Sequence, residues 1–373
     1  MAEPLKAVYN EPFLQHFASV LHNEYTPFNQ AAFINEVMDD AWEGLELKAR
    51  MRKISTALGN YLPDAYGDAL DVLLRISEDC KGFPYLLLPD FVEVYGQADE
   101  HWELSINALE QFTQGSSAEF AVRPFILRDP ERMMAQMEKW SHHSNEHVRR
   151  LASEGCRPRL PWGVALIPFK QDPAPILPIL ERLKEDDSLY VRKSVANNLN
   201  DIAKDHPDAV LALARRWQGG HPHTDWIIRH GCRTLIRQAV PEIMELFGYA
   251  VSSDSDALAD HAAISTDPTS IAIGESCSLN YELRLREGDP VRIRIEYGIE
   301  FVKAGGKTSR KLFLLSDKTV AGGTVLSGQR THRWADLTTR RHYPGEHRIA
   351  LLVNGREVAD CVMQLAQGNA PQS

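Results

Sequence analysis

The sequence predicts a mainly α-helical protein, a helical-repeat solenoid over residues 1–250, followed by an immunoglobulin-like β-sandwich over residues 262–368. Three observations predict it. Apolar residues recur at three- and four-residue spacing through the first two thirds. The middle third repeats on itself, and near residue 250 the pattern turns to alternation. At 373 residues the chain is also long enough for two separate cores.

The helical part comes first. AAFINEVMDDAWEGLELKARMRKISTALGNYL (31–62) and DPAPILPILERLKED (172–186) carry the helical period and are broken by Pro and Gly. The repeat is visible in SNEHVRRLAS (144–153), DSLYVRKSVA (187–196) and TDWIIRHGCR (224–233). Each opens on a capping residue type: Ser144, Asp187 and Thr224. Four residues on comes a β-branched residue and an arginine, at Val148-Arg149, Val191-Arg192 and Ile228-Arg229. The anchors 148, 191 and 228 lie 43 and 37 residues apart. That interval brackets the roughly 40-residue period of HEAT-like helix pairs, whose stacking makes a concave face suited to an extended partner. Arg149, Arg192 and Arg229 sit where such repeats place an internal ladder. Arg150, Arg157, Arg159 and Lys193 fall off that frame and are predicted to contact phosphates, with Arg157-Pro158-Arg159 on a stiffened loop.

The second part reads as strands. Leu279 to Leu285 and Val291 to Tyr297 alternate with period two. Turn signals follow at Gly288-Asp289-Pro290, Gly305-Gly306, Gly322-Gly323 and Pro344-Gly345. Asn354-Gly355, between two apolar runs, predicts a two-residue hairpin turn. About seven short strands in this length suggest a sandwich. Gly248 to Thr269, rich in Ser, Asp and Ala, is the expected linker. An immunoglobulin disulfide is not indicated, because no Trp follows Cys277 at the usual position.

The formal net charge is −10, which speaks against a nucleic-acid partner until its distribution is read. Residues 1–118 hold 7 Lys and Arg against 19 Asp and Glu, residues 119–237 hold 19 against 15, and residues 238–373 hold 15 against 17. The middle third is a basic island, and local potential governs the attraction of phosphates. No apolar run is long enough to span a membrane, and MAEPLKAVYNEPF has no signal-peptide core. Five scattered cysteines with no CxxC pair predict reduced thiols in a cytoplasm. His142-His143 and His221-Pro222-His223 lack partners at ligand spacing, so neither metal nor cofactor is expected.

The blocks SSAEFAVRPFI (116–126), HVRRLASEGCRPRLPW (147–162), VRKSVANNLNDIAKDHPD (191–208) and HTDWIIRHGCRTL (223–235) resemble the AlkC branch of the helical-repeat alkylation-repair DNA glycosylases. An appended immunoglobulin-like domain is also a trait of that branch. The resemblance implies a DNA glycosylase that excises cationic alkylated bases, 3-methyladenine and 3-methylcytosine, from duplex DNA without base flipping. It places three carboxylates around the lesion, at Glu119, Glu154 and Asp201, and an aromatic residue against its sugar, at Trp162. A monomer acting on cytoplasmic, nucleoid-associated DNA is expected.

The chemistry accounts for those residue types. A base alkylated at a ring nitrogen is cationic and already a good leaving group. What remains is to stabilise an oxocarbenium-like sugar with carboxylates and to activate water. An indole face adds a cation–π attraction of about 0.5–2 kcal/mol. Read without the resemblance, Glu119 fits a capping box with Ser116, and Glu154 an intrahelical ion pair. Asp201 then fits an exposed helix end, and Trp162 a plug between repeats. The alternative function is a non-catalytic HEAT-repeat scaffold that binds DNA or protein.

Overall fold

The computed structural model describes residues 4–250, 258–337 and 340–367. Residues 251–257 of the expected linker, and residue 368 at the end of the expected sandwich, lie outside them. The chain divides into two compact units, 1–231 and 232–373. Residues 232–250, expected in the helical domain, therefore cluster with the strands.

The first unit is helical throughout its described residues. In its middle, three helix pairs follow one another: Pro130–Ser141 with Glu146–Gly155, Leu177–Leu183 with Leu189–Ile202, and Pro207–Trp217 with Pro222–Gly231. The second helices of the pairs pack in sequence, Glu146–Gly155 on Leu189–Ile202 and that on Pro222–Gly231. The three periodic anchors are core positions, since Val148, Val191 and Ile228 are all buried. The caps sit one residue later than the sequence suggests. Asn145 accepts from His147 N at 2.8 Å and Ser188 from Tyr190 N at 3.2 Å, while the third helix starts at Pro222, before Thr224. Two glycines let the layers approach. A Cβ on Gly155 would stand 2.6 Å from Val122 Cγ2, and one on Gly231 would stand 2.9 Å from Leu199 Cβ.

Of the predicted arginine ladder, Arg149 makes a rung between layers and Arg192 braces the start of its own helix. Arg149 Nε and NH2 donate to the Asp186 carboxylate at 2.6 and 3.1 Å, and Arg149 NH1 to the carbonyls of His143 and Ser144. Arg192 NH1 repeats the motif on the carbonyls of Asp186 and Asp187. The paired histidines serve turns: His143 Nδ1 accepts from Asn145 N, and His221 Nδ1 from His223 N.

The second unit begins with the helices Arg233–Arg237 and Pro241–Leu246. Eight strands follow among the described residues: β1 (Ala259–Asp267), β2 (Ser270–Ala272), β3 (Ser276–Leu285), β4 (Val291–Val302), β5 (Thr308–Val320), β6 (Val325–Arg333), β7 (Gly345–Val353) and β8 (Arg356–Ala366). They form one sheet of order β1-β3-β6 and another of order β2-β8-β7-β4-β5, antiparallel except for β2 along β8. Between them lies a core that includes Leu283, Ile295, Phe301, Trp334, Ile349, Leu351 and Met363. Strand β1 falls inside the stretch expected to be linker.

The turn signals fall at strand ends, and Asn354-Gly355 makes the predicted two-residue turn, with φ of 49° and 82° and Val353 facing Arg356. The predicted alternation of β4 breaks at Glu296, which is buried and accepts from Arg294 NH2 at 2.6 Å. Residues 232–250 are tied to this unit: Tyr249 is buried, and its hydroxyl donates to Asp317 Oδ2 at 2.6 Å. Cys277 and Cys361 are free, and Trp334 Nε1 donates to Cys277 Sγ at 3.3 Å. No helix among the described residues is long and apolar enough to cross a membrane.

Candidate active site

Glu119, Glu154 and Asp201 come from three successive layers of the helical unit. Glu119 lies in the turn between the helices Trp102–Gly115 and Val122–Arg128. Glu154 and Asp201 are penultimate residues of Glu146–Gly155 and Leu189–Ile202. Their side chains are only 15%, 6% and 2% exposed. Carboxylates this enclosed require opposite charge and hydrogen bonds.

Two arginines supply both. Arg150 NH1 donates to Glu119 Oε2 at 2.7 Å and to Ser117 Oγ at 3.0 Å, and its NH2 stands 3.6 Å from Glu154 Oε1. Arg157 NH1 donates to the same Glu154 oxygen at 2.6 Å, and its Nε to Asp201 Oδ2 at 2.9 Å. Lys204 Nζ closes the chain on Asp201 Oδ1 at 2.9 Å. Burial opposes both guanidinium charges, but the neighbouring carboxylates outweigh it and hold Arg150 and Arg157 above the ordinary guanidinium range. These bonds use Glu119 Oε2 and Glu154 Oε1. The second oxygens, Glu119 Oε1 and Glu154 Oε2, accept no hydrogen bond from the described residues.

Glu119, Glu154 and Arg157 line a cavity of about 470 Å³ together with the aromatic rings of Phe120, Trp162 and Tyr190. Asp201 stands behind Arg157, outside the lining. The Arg150 guanidinium lies over the Tyr190 ring at 4.5 Å, and His147 meets that ring edge-on. Trp162 is 59% exposed. A more open groove of about 890 Å³ contains Arg149 and Asp186 of the ladder and none of the three carboxylates.

This geometry corrects the simpler readings of Glu119 and Asp201 and bears out that of Glu154. Glu119 makes no capping box: Ser116 N donates to Phe112 O, and the Glu119 carboxylate turns to Arg150. Asp201 is a buried helix-end residue, not an exposed one. The intrahelical ion pair expected of Glu154 forms with Arg150 at 3.6 Å, and Arg157 is a nearer second partner at 2.6 Å. Trp162 projects instead of plugging a gap.

Of the four cations expected on phosphates, Arg150 and Arg157 are enclosed by carboxylates, with side chains 14% and 8% exposed. Arg159 pairs with Asp205 through Nε and NH2 at 3.1 and 2.6 Å but remains 37% exposed, and Lys193 is exposed.

Sequence reasoning missed four residues. Tyr190 precedes Val191 in the repeat frame exactly as His147 precedes Val148, so the frame could have singled it out. Phe120 adjoins Glu119. Arg123 and Lys48 gave no signal. Arg123 is fully buried, which pulls it down to about 10, and it donates to the carbonyls of Gly155, Arg157 and Val164. It thereby staples the loop that carries Trp162.

Residues 98–235, which contain the whole network, match the family described as DNA alkylation repair enzyme. Residues 260–367 match the C-terminal Ig-like domain of the protein YhaZ. YhaZ of Bacillus subtilis (strain 168) is 47% identical over 356 residues, 95% of this chain and 97% of its own. The alkylpurine DNA glycosylase AlkC of Pseudomonas fluorescens, solved bound to DNA containing an abasic site analogue, is 38% identical. It superposes with a TM-score of 0.92 over 98% of this chain and 100% of AlkC. The chain belongs to the AlkC-type DNA alkylation repair enzyme family. Within this family the two units have distinct descriptions: a helical-repeat region that holds the carboxylates, and a C-terminal Ig-like domain of strands.

Proposed function

We propose that this AlkC-type protein is a DNA glycosylase that hydrolyses the N-glycosidic bond of cationic N-alkylated bases in duplex DNA, with 3-methyladenine and 3-methylcytosine as substrates. The observation that carries the proposal is the convergence of Glu119 and Glu154 on one cavity beside the exposed Trp162, each with one carboxylate oxygen that accepts from no donor among the described residues. Asp201 joins them electrostatically through Arg157.

The bond between C1′ and the base nitrogen breaks, and its electron pair neutralises the cationic base, so no acid need protonate the leaving group. Positive charge then develops on the sugar. The second oxygens of Glu119 and Glu154 face that charge from fixed positions in the cavity wall, and such preorganised charge stabilises the developing cation. Water adds to C1′ and yields its proton to one of these carboxylates, leaving a neutral methylated base and an abasic site. Arg150 and Arg157 hold the acids in place through their other oxygens. The Trp162 indole packs on the sugar. Because the carboxylates address the sugar, the base stays in the stack and is not flipped.

Arg159 and Lys193, the two cations left partly or fully open, contact the backbone. The protein acts as a monomer without metal or cofactor. Incubation with duplex DNA methylated at adenine N3 or cytosine N3 tests the reading: free methylated base should appear in the supernatant in a time-dependent manner. Duplex binding with no released base would overturn it in favour of a non-catalytic DNA-binding scaffold.

A further inference from the structure

Trp162 has φ of +62°, the left-handed region, which is costly for a bulky side chain and persists only where neighbours over-determine it. Much of its loop is held internally. Gly163 N donates to Leu160 O at 3.1 Å, Leu166 N donates to Pro158 O at 3.1 Å, and Arg123 Nε donates to Val164 O at 2.6 Å. None of these bonds reaches Trp162 itself. Lys48 does: its Nζ donates to the Trp162 carbonyl at 2.9 Å. The same ammonium lies 4.5 Å from the centre of the Phe120 ring. Phe120 and Trp162 both line the cavity, and Phe120 adjoins Glu119. Lys48 is half-buried on the helix Leu47–Leu58, and 114 residues of sequence separate it from Trp162. One cation from the acidic N-terminal third thus touches two walls of the site.

We propose that Lys48 is a positioning residue: it locks the Trp162 carbonyl and draws the loop toward Phe120, which sets where the indole stands over the cavity. The proposal rests on the reading of this cavity as the place of base release, but the Lys48–Trp162 coupling can also be measured apart from it. Lys48→Met keeps the aliphatic stem and removes the donor and its charge, and Lys48→Arg restores a charged donor. K48M should slow single-turnover release of 3-methyladenine on the order of 10-fold, the scale of one charge-assisted hydrogen bond that orients a reacting geometry. Duplex affinity should stay within about 2-fold, and K48R should recover most of the rate. In a Trp162→Ala background K48M should change nothing further, because no indole remains to be placed.

A second readout needs no catalysis. The Trp162 contribution to acrylamide quenching, taken as the difference between each protein and its Trp162→Phe counterpart, should change in K48M and return in K48R. Equal slowing by K48M with and without the indole would overturn the proposal, as would quenching unchanged by K48M. Weaker duplex binding at an unchanged rate would also overturn it, since Lys48 would then be a phosphate contact. If the wild-type protein releases no base, the glycosylase reading fails, and the quenching comparison alone decides the role of Lys48.

Discussion

Arg157 holds Asp201, 44 residues away in sequence, through two of its nitrogens, with Nε at 2.9 Å and NH2 at 2.8 Å from Oδ2. Because Arg157 also grips Glu154, the end of one repeat helix is bolted to the end of the next at the point where the acids gather. A planar guanidinium suits this task, since it presents several donors in fixed directions.

Amide substitution separates charge from shape at each acid. Among Glu119→Gln, Glu154→Gln and Asp201→Asn, at least one should slow 3-methyladenine release by roughly 10²-fold or more in single-turnover assays. Duplex binding should be unchanged or slightly tighter, because a negative charge near the phosphates is gone. D201N should also lower the melting temperature, since Asp201 anchors both Arg157 and Lys204. Three normal rates would overturn the proposed mechanism.

Removing Arg157 takes the shared partner from two enclosed carboxylates and leaves each with one cation, Arg150 for Glu154 and Lys204 for Asp201. Arg157→Met should destabilise the protein by about 3–5 kcal/mol in urea unfolding. Arg157→Lys should recover only part of this, because one ammonium cannot reproduce the forked contacts to Glu154 and Asp201. Unfolding of R157M at the wild-type urea midpoint would contradict the network's structural importance.

Lys193 is the cleanest test of the backbone contact, being exposed and outside the carboxylate network. Lys193→Gln should weaken binding to methylated and unmodified duplex alike. It should also reduce the slope of log affinity against log salt by roughly 1. An unchanged slope would remove Lys193 from the interface.

Adding one methyl group at Gly155 probes the layer contact. The new Cβ of Gly155→Ala would meet Val122 Cγ2 at 2.6 Å and Met137 Cε at 3.0 Å. Overpacking of this kind costs about 1–3 kcal/mol, which thermal melting would register. A melting temperature equal to that of the wild type would mean that the layers part freely.

The strand-rich unit should be acid-sensitive. His332 is enclosed by Tyr297, Phe313 and Trp334, and burial, with Arg340, His342 and Lys311 nearby, pushes it down to about 4. His342 and His347 are lowered in the same direction, chiefly by burial. A histidine kept neutral in the fold but free to protonate when unfolded contributes stability that is intact above pH 6.5. That stability is lost as the pH falls from 6.5 toward 4, by roughly 1.4 kcal/mol per pH unit for His332. Denaturant midpoints measured across this window should fall accordingly, and His332→Phe should flatten the slope. An equal slope in H332F would assign the acid sensitivity to other groups.

The repeat frame was legible because burial follows its period: β-branched residues at 148, 191 and 228 are core, and Arg149, after the first, makes the predicted rung between layers. Hairpin chemistry was equally plain at Asn354-Gly355. The acids were legible only through the family resemblance, since each has a local explanation that sequence favours.

The direction in which Arg150 and Arg157 point was not legible. Their partners Glu119 and Asp201 lie 31 and 44 residues away, beyond any local periodicity, and belong to other layers. In β6, by contrast, alternation does carry the answer. His332 faces inward while Thr331 and Arg333 face out, and Trp334, just past the strand, is buried in turn.

Because the three acids ride on separate layers, the distances among them are a property of stacking rather than of any one helix. Sliding one helix pair along its neighbour would widen or narrow the gap between the acids without altering a single one of them. Besides the Arg157 and Arg149 ion pairs, small and unreactive contacts resist such sliding: the Ser153–Ser194 hydroxyl pair at 2.6 Å, the Asn198 amide on the Ser153 carbonyl at 2.8 Å, and the bare backbone at Gly155 and Gly231. Exchanging alanine, serine or glycine at such interlayer spacers would therefore reset the spacing of the acids from a distance.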